Sequence, residues 1–333
     1  MREASALRGR RVLVTGAYGF VGAELVRELQ ARGASVRAAV RELRAGGVSG
    51  VEYVATGDLA VSRDWRAELS GVDVVIHAAA RVHVLRDSAG DAPYEAVNVA
   101  ATRELAQQAA DCGVRRFVYL SSVKVNGEAT PSRPFAADDA PAPSDAYGRS
   151  KCAGERALRD VSAGTGLEVA IARPPLVYGP GVGANFARLA RLVLAGVPLP
   201  LGAVDNRRSL VSVWNLVDFL LLLAVHPRAA GRTWMISDGE DLSTPDLVRR
   251  LARAAGRSAR LLPVPRAALA LAGRLLGRAD EIDRLTGSLV VDSSPARDEL
   301  GWRPAIDLDE ALQKTMAALA PSAARATARR SAS

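Results

Sequence analysis

Val12-Leu13-Val14-Thr15-Gly16-Ala17-Tyr18-Gly19-Phe20-Val21-Gly22 reads as a buried strand, a glycine turn and the start of a helix. The glycines fall in a GxxGxxG spacing. Gly16 permits the tight turn, Gly19 lets the backbone approach a pyrophosphate, and Gly22 lets helix and strand pack closely. The free N–H groups at the helix start, with their partial positive charge, suit phosphate oxygens. A bare glycine pattern is weak, but the strand–turn–helix context makes this one a dinucleotide-binding signal. The alternative is a glycine turn that holds no ligand.

Outward from this stretch the chain alternates. Segments 35–41, 51–55, 72–77, 116–122 and 167–173 are apolar and β-rich, whereas 20–32, 93–112 and 144–164 carry helical periodicity. Apolar strands alternating with amphipathic helices predict an α/β fold of Rossmann type, a doubly wound parallel sheet covered on both faces. After Pro174 the punctuation changes, with Pro174-Pro175 and Gly179-Pro180-Gly181 interrupting the alternation. Helices are expected at 185–195, 215–225, 244–255, 266–276 and 309–319, with strands near 210–213 and 233–237. This pattern predicts a smaller C-terminal substrate-binding lobe interleaved with late pieces of the sheet. Residues 8–178 and 209–237 form the dinucleotide-binding part in this reading, and 179–208 and 238–320 the lobe. The Ala/Ser/Arg-rich segment 321–333 is expected to be disordered.

The chain has 333 residues, 49% apolar and 24% charged, enough to bury a large core without disulfides or metal. Cys112 and Cys152 make no disulfide framework, and with three histidines no cluster has metal-ligand spacing, so no metal is expected. The net charge is +8, from 44 Lys and Arg against 36 Asp and Glu. Such a balance suits nucleic acid, an acidic membrane surface or phosphate-bearing ligands. Aromatics are only 5% and no basic-aromatic pattern supports nucleic acid. Residues 1–11 are polar and basic, so no signal peptide is expected. The most apolar stretch, 210–225, is short for a bilayer and carries Asn215 and Asp218. These readings predict a cytoplasmic protein without stable membrane insertion. Only three residues are Lys (124, 151 and 314), so each Lys calls for a reason.

The end of the second strand selects the cofactor. An acid there bonds the adenosine ribose and favours NAD, whereas an Arg accommodates a 2′-phosphate. Here Val36-Arg37-Ala38-Ala39-Val40-Arg41 has no acid before Glu42. Arg41, with Arg44 as a helper, favours NADP over NAD; the alternative is a pair of solvated arginines. Asp58, after the third strand, is a candidate for an adenine contact or, equally, a helix cap.

Tyr147-Gly148-Arg149-Ser150-Lys151 sets Tyr and Lys four residues apart, on one helix face and about 6 Å apart along its axis. A phenol with a pKa near ~10 is a poor base at neutral pH. A neighbouring ammonium favours the phenolate, giving a workable acid/base for a sugar hydroxyl. Upstream, Tyr119-Leu120-Ser121-Ser122-Val123-Lys124-Val125-Asn126-Gly127 follows a strand and offers a hydroxyl to relay the proton.

With these residues in view the chain resembles the extended short-chain dehydrogenases/reductases, in the group of NAD(P)-dependent nucleotide-sugar epimerases, dehydratases and reductases. The resemblance spans about residues 11–316. It rests on the glycine motif, His77-Ala78-Ala79-Ala80, Asn98 with Thr102, Ser121-Ser122, Tyr147-x3-Lys151, and Arg173-Pro174-Pro175 followed by Tyr178-Gly179-Pro180. It implies that Tyr147 is the acid/base and that Lys151 bonds the nicotinamide ribose and lowers the Tyr pKa. It further implies that Ser122, by its distance to Gly127, is the catalytic hydroxyl, with Ser121 the runner-up. His77 and Asn98 match cofactor-side positions. Asn98 could instead brace its helix, and His77 could be a satisfied strand-end histidine.

The family's 4,6-dehydratases carry an Asp-Glu pair where this chain has Val123 and Lys124, so the resemblance implies redox at C4 without dehydration. Asn185 and Arg208 match positions that contact the nucleotide diphosphate, although Ser209-Leu210 replaces the family's Asp-Tyr. A forked guanidinium suits phosphate. Lys124 could touch the sugar or be solvated. The leading expectation is a UDP-sugar 4-epimerase working through a 4-keto sugar, on an N-acetylated hexosamine ahead of a plain hexose. An NADPH-dependent 4-ketoreductase is second, and a non-catalytic NADP-binding protein third. A homodimer is a further expectation. Helix 266–276, apolar with basic edges, reads as core or interface packing, or as a sign of a lipid-linked substrate.

Overall fold

A computed structural model describes residues 6–82, 90–130 and 132–320, and the expected disordered tail at 321–333 lies outside the described residues. The first half comprises β1 (Arg11–Thr15), α1 (Phe20–Ala31), β2 (Ser35–Val40), β3 (Glu52–Ala55), α2 (Arg66–Leu69), β4 (Val74–His77), α3 (Ala92–Glu95), α4 (Ala101–Asp111), β5 (Arg116–Leu120), α5 (Ala146–Thr165) and β6 (Glu168–Arg173). The second half comprises β7 (Leu176–Tyr178), α6 (Ala184–Leu194), β8 (Leu210–Ser212), α7 (Val213–Val225), β9 (Arg232–Met235), α8 (Thr244–Ala254), α9 (Arg266–Leu275), α10 (Ala279–Thr286), α11 (Ser294–Leu300) and α12 (Leu308–Leu319).

Seven strands form one parallel sheet in the order β3-β2-β1-β4-β5-β6-β9. The central strands are apolar on both faces because helices cover both; β4 is buried at every residue. From β1 the chain winds out to β3, then returns to place β4 on the other side of β1. The order in which strands are added reverses there, and a crevice opens at the C-terminal strand ends. The register sets Thr15 beside His77 and Leu120 beside Ala172 at that edge. Buried α7, with Leu216, Leu220 and Leu223 each at 0% exposure, packs its apolar length into the core under the sheet. No helix among the described residues is long and apolar enough to cross a membrane.

A second core gathers Phe186 of α6, Val248 and Leu251 of α8, and Leu312 and Met316 of α12 around the small parallel pair β7-β8. Two expectations change in detail. The helix expected at 93–112 is α3 and α4 joined by a wider π-turn, Ala96–Ala100, which carries Asn98. The strand expected to reach Ser122 stops at Leu120, and Ser122 instead caps a 3₁₀ turn at Val123–Val125 by accepting from the Lys124 amide at 3.2 Å.

Candidate active site

The crevice holds a cleft of about 690 Å³, within the range of small-molecule and cofactor sites. Its lining runs from Arg41 and Asp58, past Gly16, Gly19 and Gly22, to Ser122, Tyr147 and Lys151. The glycine turn is built as its spacing predicts. Gly16 has φ +66°, and a Cβ there would sit 2.8 Å from the Ala79 backbone. A Cβ on Gly22 would lie 2.1 Å from the Gly16 carbonyl oxygen, so only glycine lets α1 start against the turn. Gly19 caps α1 without a side-chain hydrogen bond, and no acid occupies the first helical turn. The α1 amides therefore face the cleft with neither a capping side chain nor a local negative charge, which fits a pyrophosphate.

At the cleft's other end, helix α5 begins with Asp145, whose Oδ1 accepts from the Gly148 amide at 2.7 Å. Glycines let this helix approach closely. A Cβ on Gly148 would meet the Lys124 carbonyl at 2.7 Å, and one on Gly154 would meet the Asn98 carbonyl at 2.6 Å and the Tyr119 hydroxyl at 2.7 Å. Tyr147 and Ser122 both line the cleft. Burial first, and the Asp145 charge second, push the phenol up to about 12, while the Ser122 hydroxyl acts in the opposite sense. Lys151 Nζ donates to the Leu120 carbonyl at 2.7 Å and lies 4.5 Å from the centre of the Tyr119 ring. Burial pushes the ammonium down to about 7, opposed by the charge of Glu155. The expected lowering of the Tyr147 pKa by Lys151 is thus not seen: the ammonium is committed to Leu120 and Tyr119, and desolvation dominates the phenol.

The neighbouring serines separate. Ser121 Oγ donates to Glu155 Oε1 at 2.6 Å, away from Tyr147. Glu155 also receives Arg173 in a two-pronged pair, Nε to Oε1 at 2.8 Å and Nη2 to Oε2 at 2.6 Å, with both residues buried. Arg173 Nη1 donates on to Asn126 Oδ1 at 2.9 Å. Sequence reasoning missed this pair as a unit. Its signal was present: Glu155 follows Lys151 by four residues on the Tyr147 face, and Arg173 opens the Arg-Pro-Pro motif.

His77 and Asn98 stand behind the cleft and do not line it. His77 is buried between Thr15 Oγ1 (2.7 Å from Nδ1) and Thr102 Oγ1 (3.0 Å from Nε2). Burial, then the Lys151 charge, pushes its pKa down to about 3, so the ring is neutral. Asn98 clasps the Arg81 backbone, accepting from its N–H at 2.8 Å and donating to its carbonyl at 3.0 Å, and also donates to Ser150 Oγ at 2.9 Å. It thereby ties a cleft-wall residue, Arg81, to α5.

Arg41 meets Asp58 in an ion pair at the outer end of the cleft. The Ala60 amide, and then the Arg41 guanidinium, hold the Asp58 carboxyl below its ordinary range. The outer end of the cleft thus holds a guanidinium already paired with a carboxylate. Arg44 turns instead over the Tyr18 ring, 5.5 Å from its centre.

The residues expected to contact substrate have separate surroundings. Lys124 Nζ lies between Glu128 Oε1 at 2.8 Å and Asp145 Oδ2 at 2.5 Å. Arg208 Nη1 donates to the Arg284 and Gly287 carbonyls at 2.9 and 3.0 Å, at the end of α10, and burial pushes its pKa down. Asn185 is half-buried in the first turn of α6, next to Ala184 at φ +50°.

Comparison with known proteins agrees with this geometry. Residues 12–237 match the NAD-dependent epimerase/dehydratase family. A UDP-glucose 4-epimerase from Vibrio cholerae is 44% identical, across 92% of this chain and 94% of that protein. The structure of MoeE5 in complex with UDP-glucose and NAD is 28% identical, with a TM-score of 0.73 over 97% of this chain and all of that one. A UDP-N-acetylglucosamine 4-epimerase from Bacillus cereus, at 20% identity and TM-score 0.75 over 93% of this chain and 96% of that one, shares the fold. The glycine cradle, the Tyr147–Lys151 helix and these matches make this chain an enzyme of the NAD-dependent epimerase/dehydratase family.

Proposed function

We propose that this enzyme is a UDP-sugar 4-epimerase that inverts C4 through a 4-keto sugar. The observation that carries the reading is the convergence of Ser122, Tyr147 and Lys151 on the wall of one cleft, with Lys151 one helical turn on from Tyr147. The Vibrio cholerae relative, a UDP-glucose 4-epimerase, supports the reaction class. The N-acetylated hexosamines and the plain hexoses are the two substrate classes to compare.

NAD, when bound, supplies the acceptor and donor for the hydrogen on C4. The chain's own residues handle the proton. Tyr147 takes the C4 hydroxyl proton in the oxidation half and returns it in the reduction half. Ser122, on the same cleft wall, holds the reacting oxygen and relays the proton to the phenol. Lys151 places a cation beside the α5–β5 junction, sustained by Glu155. Lys124 is bound by two carboxylates and Val123 has no acidic proton, which argues against dehydration across C5–C6. In this reading residues 8–178 and 209–237 hold NAD, while 179–208 and 238–320, with Asn185 and Arg208, receive the nucleotide sugar.

The Arg41–Asp58 pair favours NAD over NADP, because the guanidinium charge is already answered. The ketoreductase reading keeps one supporting observation, an Arg on the wall of the cleft. One experiment separates the two. Purified protein is incubated with UDP-GlcNAc, UDP-glucose and a UDP-4-keto-6-deoxy sugar, with and without NADPH. The epimerase reading expects inversion of UDP-GlcNAc or UDP-glucose without added NADPH. Consumption of the keto sugar only with NADPH overturns it.

A further inference from the structure

Helix α9 is apolar on two opposite faces. At about 100° per residue, Leu271 projects about 200° from Leu269. Leu269 and Gly273 are the buried residues of α9, and Gly273 seats it against α10, where a Cβ would lie 2.8 Å from Ile282. On the side away from this contact Leu271 and Leu275 are 60% and 79% exposed, and Leu276 just beyond the helix is 74% exposed. An amphipathic helix that only packs against a core has a polar outer face. This one does not.

The charge on α9 and its two flanks is basic, and acids resume at Asp280 with α10. From 256 to 279 the chain holds five arginines (257, 260, 266, 274 and 278) and no Asp or Glu. All five are exposed. Among the described side chains, the carboxylate that reaches them is Glu281 of α10, 3.8 Å from Arg278 and also paired with Arg188 at 2.8 Å. Arg274, next to Leu275, and Arg266, at the start of α9, form no ion pair among the described residues. A second copy seated face to face would bring these arginines against their like. An anionic lipid surface answers both features, leucines into the headgroup boundary and guanidinium groups onto phosphates. A helix of ten residues is about 15 Å long, so it lies in that surface and does not cross it.

We propose that α9 and the turn after it dock this enzyme on an anionic bilayer surface. The test is co-sedimentation of the full chain with vesicles of phosphatidylcholine alone, and of phosphatidylcholine with phosphatidylglycerol in a two-to-one ratio. The proposal expects binding to the anionic vesicles and little to the neutral ones. The triple variant Leu271→Ser/Leu275→Ser/Leu276→Ser keeps every charge and changes only exposed side chains, and it should lower partitioning about tenfold or more. The variant Arg266→Glu/Arg274→Glu should abolish it. Binding unchanged by the leucine variant would mean general attraction of a basic chain, and overturns the proposal. So does an absence of binding to the anionic vesicles. Self-association without lipid that the leucine variant removes also overturns it, by making the patch an interface between copies.

Discussion

Lys124 is ion-paired with Asp145, the residue that caps the helix carrying Tyr147. The Asp145 charge helps to hold the Tyr147 phenol up, and the Lys124 ammonium is the cation bonded to that carboxylate. A cation there opposes the Asp145 charge, so Lys124, one of three lysines in the chain, is expected to act on the acid/base through its neighbour.

Replacing Lys124 with Met leaves Asp145 uncompensated by that cation and should raise the phenol pKa further. Turnover near neutral pH is expected to fall about 3–10-fold, up to one pK unit's worth, with the pH–kcat curve moved to higher pH. Asp145→Asn keeps a side-chain acceptor for the Gly148 amide, removes the charge, and should move the curve to lower pH. The pair of pH profiles checks this. Shifts of the same sign in both variants would contradict it.

Ser122→Ala is expected to lower turnover about 10²-fold, because it loses the hydroxyl beside Tyr147. Ser121→Ala withdraws a donor from buried Glu155, so it should cost about 1–3 kcal/mol of stability and far less turnover. Steady-state kinetics and urea unfolding of the two variants separate the roles. A larger kinetic loss in Ser121→Ala would exchange them.

The Glu155–Arg173 pair is buried and bidentate, so removing one partner strands a charge. Glu155→Gln should destabilise the fold by about 3–5 kcal/mol. The double replacement Glu155→Leu/Arg173→Met should recover much of that loss, because no buried charge is left unpaired and Arg159, which also pairs with Glu155 at 3.1 Å, is half exposed. Denaturant midpoints of the two variants measure it, and equal midpoints would show that the charges do not act as a pair.

Asp58→Ala frees Arg41 at the outer end of the cleft. NADP affinity should rise about tenfold, about 1.4 kcal/mol, with NAD affinity little changed. Fluorescence titration with both nucleotides reads this directly, and an unchanged NADP affinity would remove Arg41 from the cofactor site.

Local periodicity carried much of the fold. The glycine turn, the strand–helix alternation and the Tyr147–Lys151 spacing are set by contacts within a few residues, so they were legible in the sequence. Strand β7 was not, because three residues between Pro175 and Gly179 are too few to show an alternation. The π-turn at Asn98 was hidden because the residues before and after it are helical. Partners distant in sequence were hidden too. Arg41 finds Asp58 across β2 and β3, Arg208 finds the end of α10, and Lys124 finds Asp145. Each is a pairing that only the folded chain brings within reach.

The central claim is that Tyr147 moves the C4 proton of a nucleotide sugar. Its most direct test is epimerisation by wild type and Tyr147→Phe on the same UDP-sugar, with bound NAD quantified in each preparation. The account predicts inversion at C4 by wild type, and in the variant a fall of about 10²–10⁴-fold in turnover with NAD content unchanged. Turnover by Tyr147→Phe close to that of wild type would contradict it.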